Sequence, residues 1–385
     1  MENKPEKMNE NLKQNDLLDT DKEKLEKLNK SLNTIKDKKS KFLFCVPTTN
    51  QPSALIYEIY YHIKVLKGMG FQVYALTEDN DYVIPDYIET ELTKDVEHVS
   101  MVKSKLSVSP EDFMVIPELF TNIMEQTKKL PCKRIGLLQS IDFMLNSLIP
   151  GVNWKSFGIN DVITTSNKLK TMFEEYYGEK TFNVKTYDIG IPEYFKRDGK
   201  PQKPVISIVG RNANEISKIV KLFYSKYPHF NWITFDPMLT KQKPPQPMNR
   251  VDFAKRLRGN FAAVWVDRIS SFGTFPLECL KSGVVPICLK PDITPDYIID
   301  DKGEPLENIG YWTTNIYDLP DLIGNIISNF LDDNIPDTTY DGMEKLVENF
   351  NQKNSEKQLV EIYDGIVNDR ITVFQEAINE FKNDK

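Results

Sequence analysis

Missing from this chain is any apolar run near the roughly 20 residues that a membrane-crossing helix needs, and its charged start, MENKPEKMNE, does not have the form of a secretion signal. A cytoplasmic location is the expectation. Cysteine is scarce: Cys45, Cys132, Cys279 and Cys288 show no paired short spacing and sit mostly inside apolar runs, which favours reduced core thiols over a disulfide frame or a zinc site. Histidine is scarcer still, with His62, His98 and His229 the whole complement. A histidine-based catalytic dyad is therefore not expected, and each of the three reads as structural or solvent-facing. An excess of positive charge is lacking too. The 49 Lys and Arg against 56 Asp and Glu leave a net charge of -7, which weighs against a surface made for polyanions, because nonspecific nucleic-acid affinity comes from phosphate neutralisation.

What is present is 385 residues with 40% hydrophobic and 27% charged content, the balance of a soluble globular protein long enough for two domains with separate cores. Residues 1–40 are charged and nearly free of aromatics, a composition that does not fold alone. Leu18, Leu25, Leu28, Leu32 and Ile35 nevertheless keep a three-four spacing. Two readings stay open for this extension. One is a helix that docks on the body or pairs with a second copy through that stripe, giving self-association; the other is a partly helical, mobile tail.

From Lys41 the chain alternates apolar runs with amphipathic segments, the pattern of an α/β fold. A strand is expected at Phe42 to Val46, a helix over Ser53 to Lys67 and a second strand at Phe71 to Leu76, which together make a right-handed βαβ unit. Thr48, Thr49 and Asn50 lie in the first loop and offer side-chain hydrogen bonds. Further strands are expected at Phe113 to Ile116 and Arg134 to Leu138. Gln139, Ser140 and Asp142 follow the latter, at the carboxyl end of a strand, where open α/β sheets place ligands. Pro201 to Pro204 reads as a linker. A second α/β unit starts with a strand at Val205 to Val209, followed by Gly210-Arg211 and a helix over Asn214 to Tyr227. A helix from Asp252 to Arg258 brings Lys255, Arg256 and Arg258 together, which reads first as a solvated face. The expected division is 1–40 extension, 41–200 first Rossmann-like domain, 201–345 second Rossmann-like domain, and 346–385 terminal helices.

The most informative stretch is DRISSFGTFPLECLKSGVVPI, Asp267 to Ile287. A buried strand ends at Val266, Phe272-Gly273 opens a turn, Pro276 to Lys281 reads as a helix, and a second apolar run follows. The helix aims its free amides at the loop, a setting suited to a phosphate-bearing ligand. Phe272, Gly273, Glu278, Gly283, Pro286 and Ile287 fall in register with the donor-binding segment of GT-B glycosyltransferases, and this stretch resembles in particular the large retaining family within them, the GT4-like group. The resemblance implies two Rossmann-like domains facing across a cleft, 41–200 on the acceptor side and 201–345 on the donor side, with the terminal helices of 346–385 crossing back to the first, and with a nucleotide-sugar, a UDP-sugar first, as co-substrate and no strict metal requirement. It implies that Glu278 holds the ribose, that Phe272, Gly273 and Thr274 line the donor site, and that Arg211 clamps the diphosphate. Catalytic weight then rests on Arg211 and Glu278. The family's first glutamate is replaced by Ser270, and its diphosphate lysine by Ile216, with Lys218 the nearest substitute. Thr48, Thr49, Asn50, Gln139, Ser140 and Asp142 fall on the acceptor or sugar side.

The expected reaction is transfer of a sugar to an acceptor hydroxyl with retention of configuration. Saccharide, lipid-linked sugar and protein stand as acceptors beside a hydroxylated DNA base of the kind some bacteriophage transferases use. Two other readings are kept. Asp79-Asn80-Asp81 has the Asp-x-Asp form that holds a divalent cation with a sugar nucleotide in another transferase fold, and a GT-B-like protein that binds without catalysis would explain Ser270 and Ile216.

Overall fold

The computed structural model describes residues 22–48, 53–78, 82–84, 87–102, 106–196, 203–237, 249–268, 272–291, 295–299 and 306–383. Thr49, Asn50, Asp79, Asn80, Asp81 and Ser270, together with Leu18 and the first half of the expected linker, Pro201 and Gln202, lie outside the described residues, while Lys203 and Pro204, expected in that linker, already belong to a strand.

Two parallel sheets carry the architecture. The first is built from β1 (Lys41–Val46), β2 (Gln72–Thr77), β3 (Glu97–Ser100), β4 (Phe113–Pro117), β5 (Lys133–Leu138), β6 (Asp161–Thr164) and β7 (Asn183–Thr186), in the order β3-β2-β1-β4-β5-β6-β7. The second holds β8 (Lys203–Gly210), β9 (Thr234–Pro237), β10 (Asn260–Val266), β11 (Val285–Leu289) and β12 (Tyr311–Thr313), in the order β12-β11-β10-β8-β9. β4 and β10 are buried along their whole length. Helices cover both faces of such sheets, which is why the sequences FMVIP and NFAAVWV run apolar instead of alternating.

Around the first sheet lie α1 (22–36), α2 (Ala54–Gly68), α3 (Thr90–Thr93), α4 (Thr121–Gln126), α5 (Ile141–Ser147) and α6 (Asn167–Tyr177). Around the second lie α7 (Ala213–Lys226), α8 (Arg250–Arg258), α9 (Thr274–Lys281), α10 (Leu319–Leu331) and α11 (Asp337–Val347), and α12 (Gln352–Asn383) closes the chain. α12 is one helix of 32 residues. That helix returns to the first lobe. Tyr61 Oη donates to the Gln352 carbonyl at 2.8 Å, His62 Nδ1 lies 2.7 Å from Tyr363 Oη, and the Asp188 amide donates to Gln358 Oε1 at 2.7 Å. Burial drives the His62 pKa down to about 3, so its ring stays neutral in the core.

α1 decides between the two readings of the extension for the residues described. Leu32 and Ile35 are buried in the main core, Leu25 and Leu28 pack against it, and Ser31 Oγ donates to Glu111 Oε2 at 2.9 Å. The stripe is spent on the chain's own body, so the seam expected for self-association has lost these four side chains. All four cysteines are buried and free.

Candidate functional site

Each sheet reverses its strand order once, between β1 and β4 in the first and between β8 and β10 in the second. At such a reversal neighbouring crossovers leave in opposite directions and open a crevice beyond the carboxyl ends of the strands. Here the two crevices face one another. Pro47 and Leu119, just past β1 and β4, line the same cleft of about 440 Å³ as Gly210, Arg211 and Asp267, at the ends of β8 and β10. The site is interlobe by construction.

On the second lobe the local geometry is tight. A Cβ on Gly210 would stand 2.5 Å from the Val266 carbonyl oxygen, so only glycine lets β8 end flush with β10. That brings Arg211 beside Asp267, with Nε donating to Oδ2 at 2.9 Å. Arg211 is half exposed, and its guanidinium lies over the Phe143 ring of α5, 5.3 Å from the centroid, a contact across the cleft. Gly273 adopts φ +74°, its carbonyl accepts from Tyr297 Oη at 2.6 Å, and an added Cβ would meet the Trp265 ring at 2.9 Å. It precedes α9 with no side-chain cap, so the first amides of that helix keep their donors and the positive end of its dipole toward the cleft.

Phe272, Gly273, Thr274 and Glu278 all line the cleft, as sequence reasoning placed them together. The surroundings of Glu278 were not foreseen. Its carboxylate is almost wholly buried and accepts from Arg250 Nη2 at 2.5 Å, and the Arg250 side chain has no exposure at all. The Arg250 guanidinium lies 3.7 Å from the centre of the Tyr57 ring, and its backbone amide donates to the Tyr87 carbonyl at 3.2 Å, both in the first lobe. Burial works against the charge on Arg250, but the Glu278 carboxylate beside it holds it protonated. Burial raises the Glu278 carboxyl, with Arg250 opposing the rise.

The first lobe contributes Gln139, whose Nε2 donates to the Leu55 carbonyl at 3.2 Å and which lines the cleft. It also contributes Glu58 of α2, a cleft residue that the sequence reading passed over. Glu58 is buried, accepts from Tyr187 Oη at 3.1 Å, and has its pKa pushed up to about 7 by burial, against the pull of Arg250. Beneath Gln139 sits Glu118, likewise unforeseen. Its Oε2 accepts from the Gln139 amide at 3.3 Å, its Oε1 is buried without a partner, and burial pushes its pKa up to about 8.

Other expected residues fall elsewhere. Lys218 does not line the cleft: α7 carries it away from the end of β8, and its ammonium donates to Tyr317 Oη at 2.6 Å and stands over that ring. Ser140 caps α5, accepting from the Phe143 amide at 3.4 Å, and neither it nor Asp142 is a lining residue. Thr48 follows Pro47 at the edge and is half-buried. Lys255, Arg256 and Arg258 are engaged by Asp252, Asp236 and the Lys196 carbonyl, which fits the solvated-face reading of α8.

Comparison with known proteins gives a fold. A pneumococcal O-GlcNAc transferase, GtfA, solved with UDP and GlcNAc, superposes with a TM-score of 0.60 at 9% identity over 86% of this chain and 99% of its own. A glycosyltransferase from Rickettsia africae gives 0.57 at 15% identity over 85% and 98%. This chain has the GT-B fold. An alpha-glucosyltransferase of the same GT-B architecture, solved with UDP-glucose and DNA containing an abasic site, gives 0.55 at 10% identity over 84% and 98%. No protein-family model matches the sequence, and no curated protein does. The GT-B likeness is thus carried by three-dimensional form at identities of 9 to 15%.

Proposed function

We propose that the cleft binds a nucleotide-sugar and that the protein transfers the sugar to an acceptor hydroxyl with retention of configuration. The observation that carries this reading is the convergence of Arg211, the uncapped amino end of α9 and Glu278 on one interlobe cleft. A diphosphate there meets a guanidinium and free backbone amides. A pentose reaching inward meets the Glu278 carboxylate. Fold relatives whose structures hold UDP or UDP-glucose make a uridine nucleotide the first candidate.

In transfer, the bond from the anomeric carbon to the diphosphate oxygen breaks with its electron pair going to the diphosphate. The acceptor oxygen bonds to the anomeric carbon, and its proton passes to the leaving diphosphate. Positive groups on the departing phosphate lower this barrier more than a side-chain base would. Acceptors enter from the first lobe, where Gln139 and Phe143 form the wall. With a net charge of -7 and the α8 cations engaged internally, a saccharide or protein hydroxyl suits the protein better than a DNA base.

Binding and turnover test this separately. UDP-glucose is expected to raise the melting temperature above the shifts given by GDP- and ADP-glucose; at about 100 times Kd the stabilisation is about 2.7 kcal/mol. UDP release should accompany it, whereas a protein that binds without catalysis shifts its melting point and releases none. EDTA is expected to change UDP release by less than about twofold, because the guanidinium and helix amides do the work of a cation. A strict divalent requirement would point to Asp79 and Asp81 instead.

A further inference from the structure

Glu278 and Glu58 face the same cleft from opposite lobes, and one guanidinium, that of Arg250, stands with them. Arg250 gives Nη2 to Glu278, while its Nε and Nη1 are buried without a hydrogen-bond partner. Glu58 is held on the other side by Tyr187 Oη. The groups facing Glu58 are Tyr57 and Tyr61 of its own helix, Tyr187 after β7, Arg250 of α8 and Glu278 of α9. One carboxyl is thus bonded to the single fixed positive charge and the other is buried close enough to feel it, in a place with little water. Such a cluster cannot carry both negative charges cheaply, because removing an unpaired ion from water is strongly unfavourable.

We propose that Glu58 is a ligand-positioning carboxyl of the cleft, paired with Glu278 through Arg250, so that holding a nucleotide's pentose on Glu278 is coupled to the charge Glu58 carries. The inference rests on the nucleotide-sugar reading of the cleft and adds to it a residue from the opposite lobe. When Glu58 is neutral, Arg250 serves Glu278 alone, and Glu278 keeps a fixed direction toward the pentose. When Glu58 ionises, it draws on the same guanidinium, loosens that direction, and adds negative charge to a cleft that must receive a diphosphate. The ligand therefore prefers the neutral form. Linkage fixes the sign: affinity is level below the Glu58 pKa of about 7 and falls as pH rises through it.

The test uses the full chain and UDP-glucose, whose doubly esterified diphosphate does not itself titrate near neutrality. Calorimetric affinity for the wild type is expected to weaken about three- to tenfold between about pH 6 and about pH 8, with E58Q varying by less than about twofold over the same range. A residue that only packs α2 would leave the slope in place. A wild-type profile without a slope, or an E58Q profile with the wild-type slope, overturns the inference.

A second measurement needs no ligand. A glutamate raised from 4.5 to about 7 by folding contributes stability that is fully present below its unfolded value and is lost as pH rises through the folded one. The melting temperature of E58Q should therefore gain on the wild type between about pH 5 and about pH 7 and hold its lead above that range; a difference independent of pH counts against the inference. Failure of UDP-, GDP- and ADP-glucose to bind at either pH sinks the reading of the cleft instead, and the two melting profiles still decide whether Glu58 titrates within the cluster.

Discussion

Arg211→Ala is expected to slow sugar transfer by about 10²–10³-fold, the loss typical when a fixed donor to developing transition-state charge is removed, with little change in melting temperature. The two halves of that expectation come from the same geometry. Arg211 is half exposed and its ion pair with Asp267 lies at the surface of the cleft, where such pairs contribute about 0–1 kcal/mol to stability. On the proposed reading, its position just past β8, lining the same cleft as the start of α9, gives it leverage on a leaving diphosphate. Among the described residues only its Nε has a hydrogen-bond partner, which on that reading leaves the rest of the fork for a diphosphate. Arg211→Lys keeps the charge and loses the planar fork, and should recover only part of the rate. Steady-state release of UDP read beside a thermal melt separates the two effects; a variant that melts as the wild type does and turns over normally removes Arg211 from the proposed chemistry.

The α/β alternation was legible because both faces of each central strand are covered, which forces apolar runs such as FLFCV and FAAVWV that stand out against charged helices. β3 and β12 were not legible. They are edge strands of 4 and 3 residues with no fully buried position, and leave no run to find. The segment from Phe272 to Glu278 could be placed because turn, helix and strand follow one another within a few residues. Lys218 was assigned to the diphosphate by distance along the chain, but a helix turns its residues through all directions, and this one faces Tyr317. Glu58 had a signal that went unread: it is the one acidic residue in LIYEIYYHI, where apolar residues occupy every face of the helix, so it had to be buried with a partner. Arg250 had none. A cation at the first turn of a helix rich in cations reads as surface, and only the approach of Tyr57, Tyr87 and Glu278 from three distant elements takes it out of water.

That burial makes Arg250 the position where the largest loss of stability is expected. Arg250→Met keeps the packing volume over Tyr57 and removes the one cation among the described residues that is hydrogen-bonded to Glu278, leaving a carboxyl that burial already raises without that counter-charge. Breaking a buried pair from one side costs about 3–5 kcal/mol, and because Arg250 also stacks on the opposite lobe, the loss should appear in the cooperative unfolding of both lobes. Urea denaturation measures it. The pair itself is a different quantity: removing both charges in R250M/E278M should return most of the stability, to within about 1 kcal/mol of the wild type, since a well-packed apolar pair can replace a buried ionic one. Nucleotide affinity should not return with it, because the double variant no longer offers a carboxylate to the pentose. If the double variant were as unstable as R250M, the loss would belong to Tyr57 packing and not to the charge. If it bound UDP-glucose normally, the ribose would have to be held by some group other than Glu278, and stability and recognition would no longer share this pair.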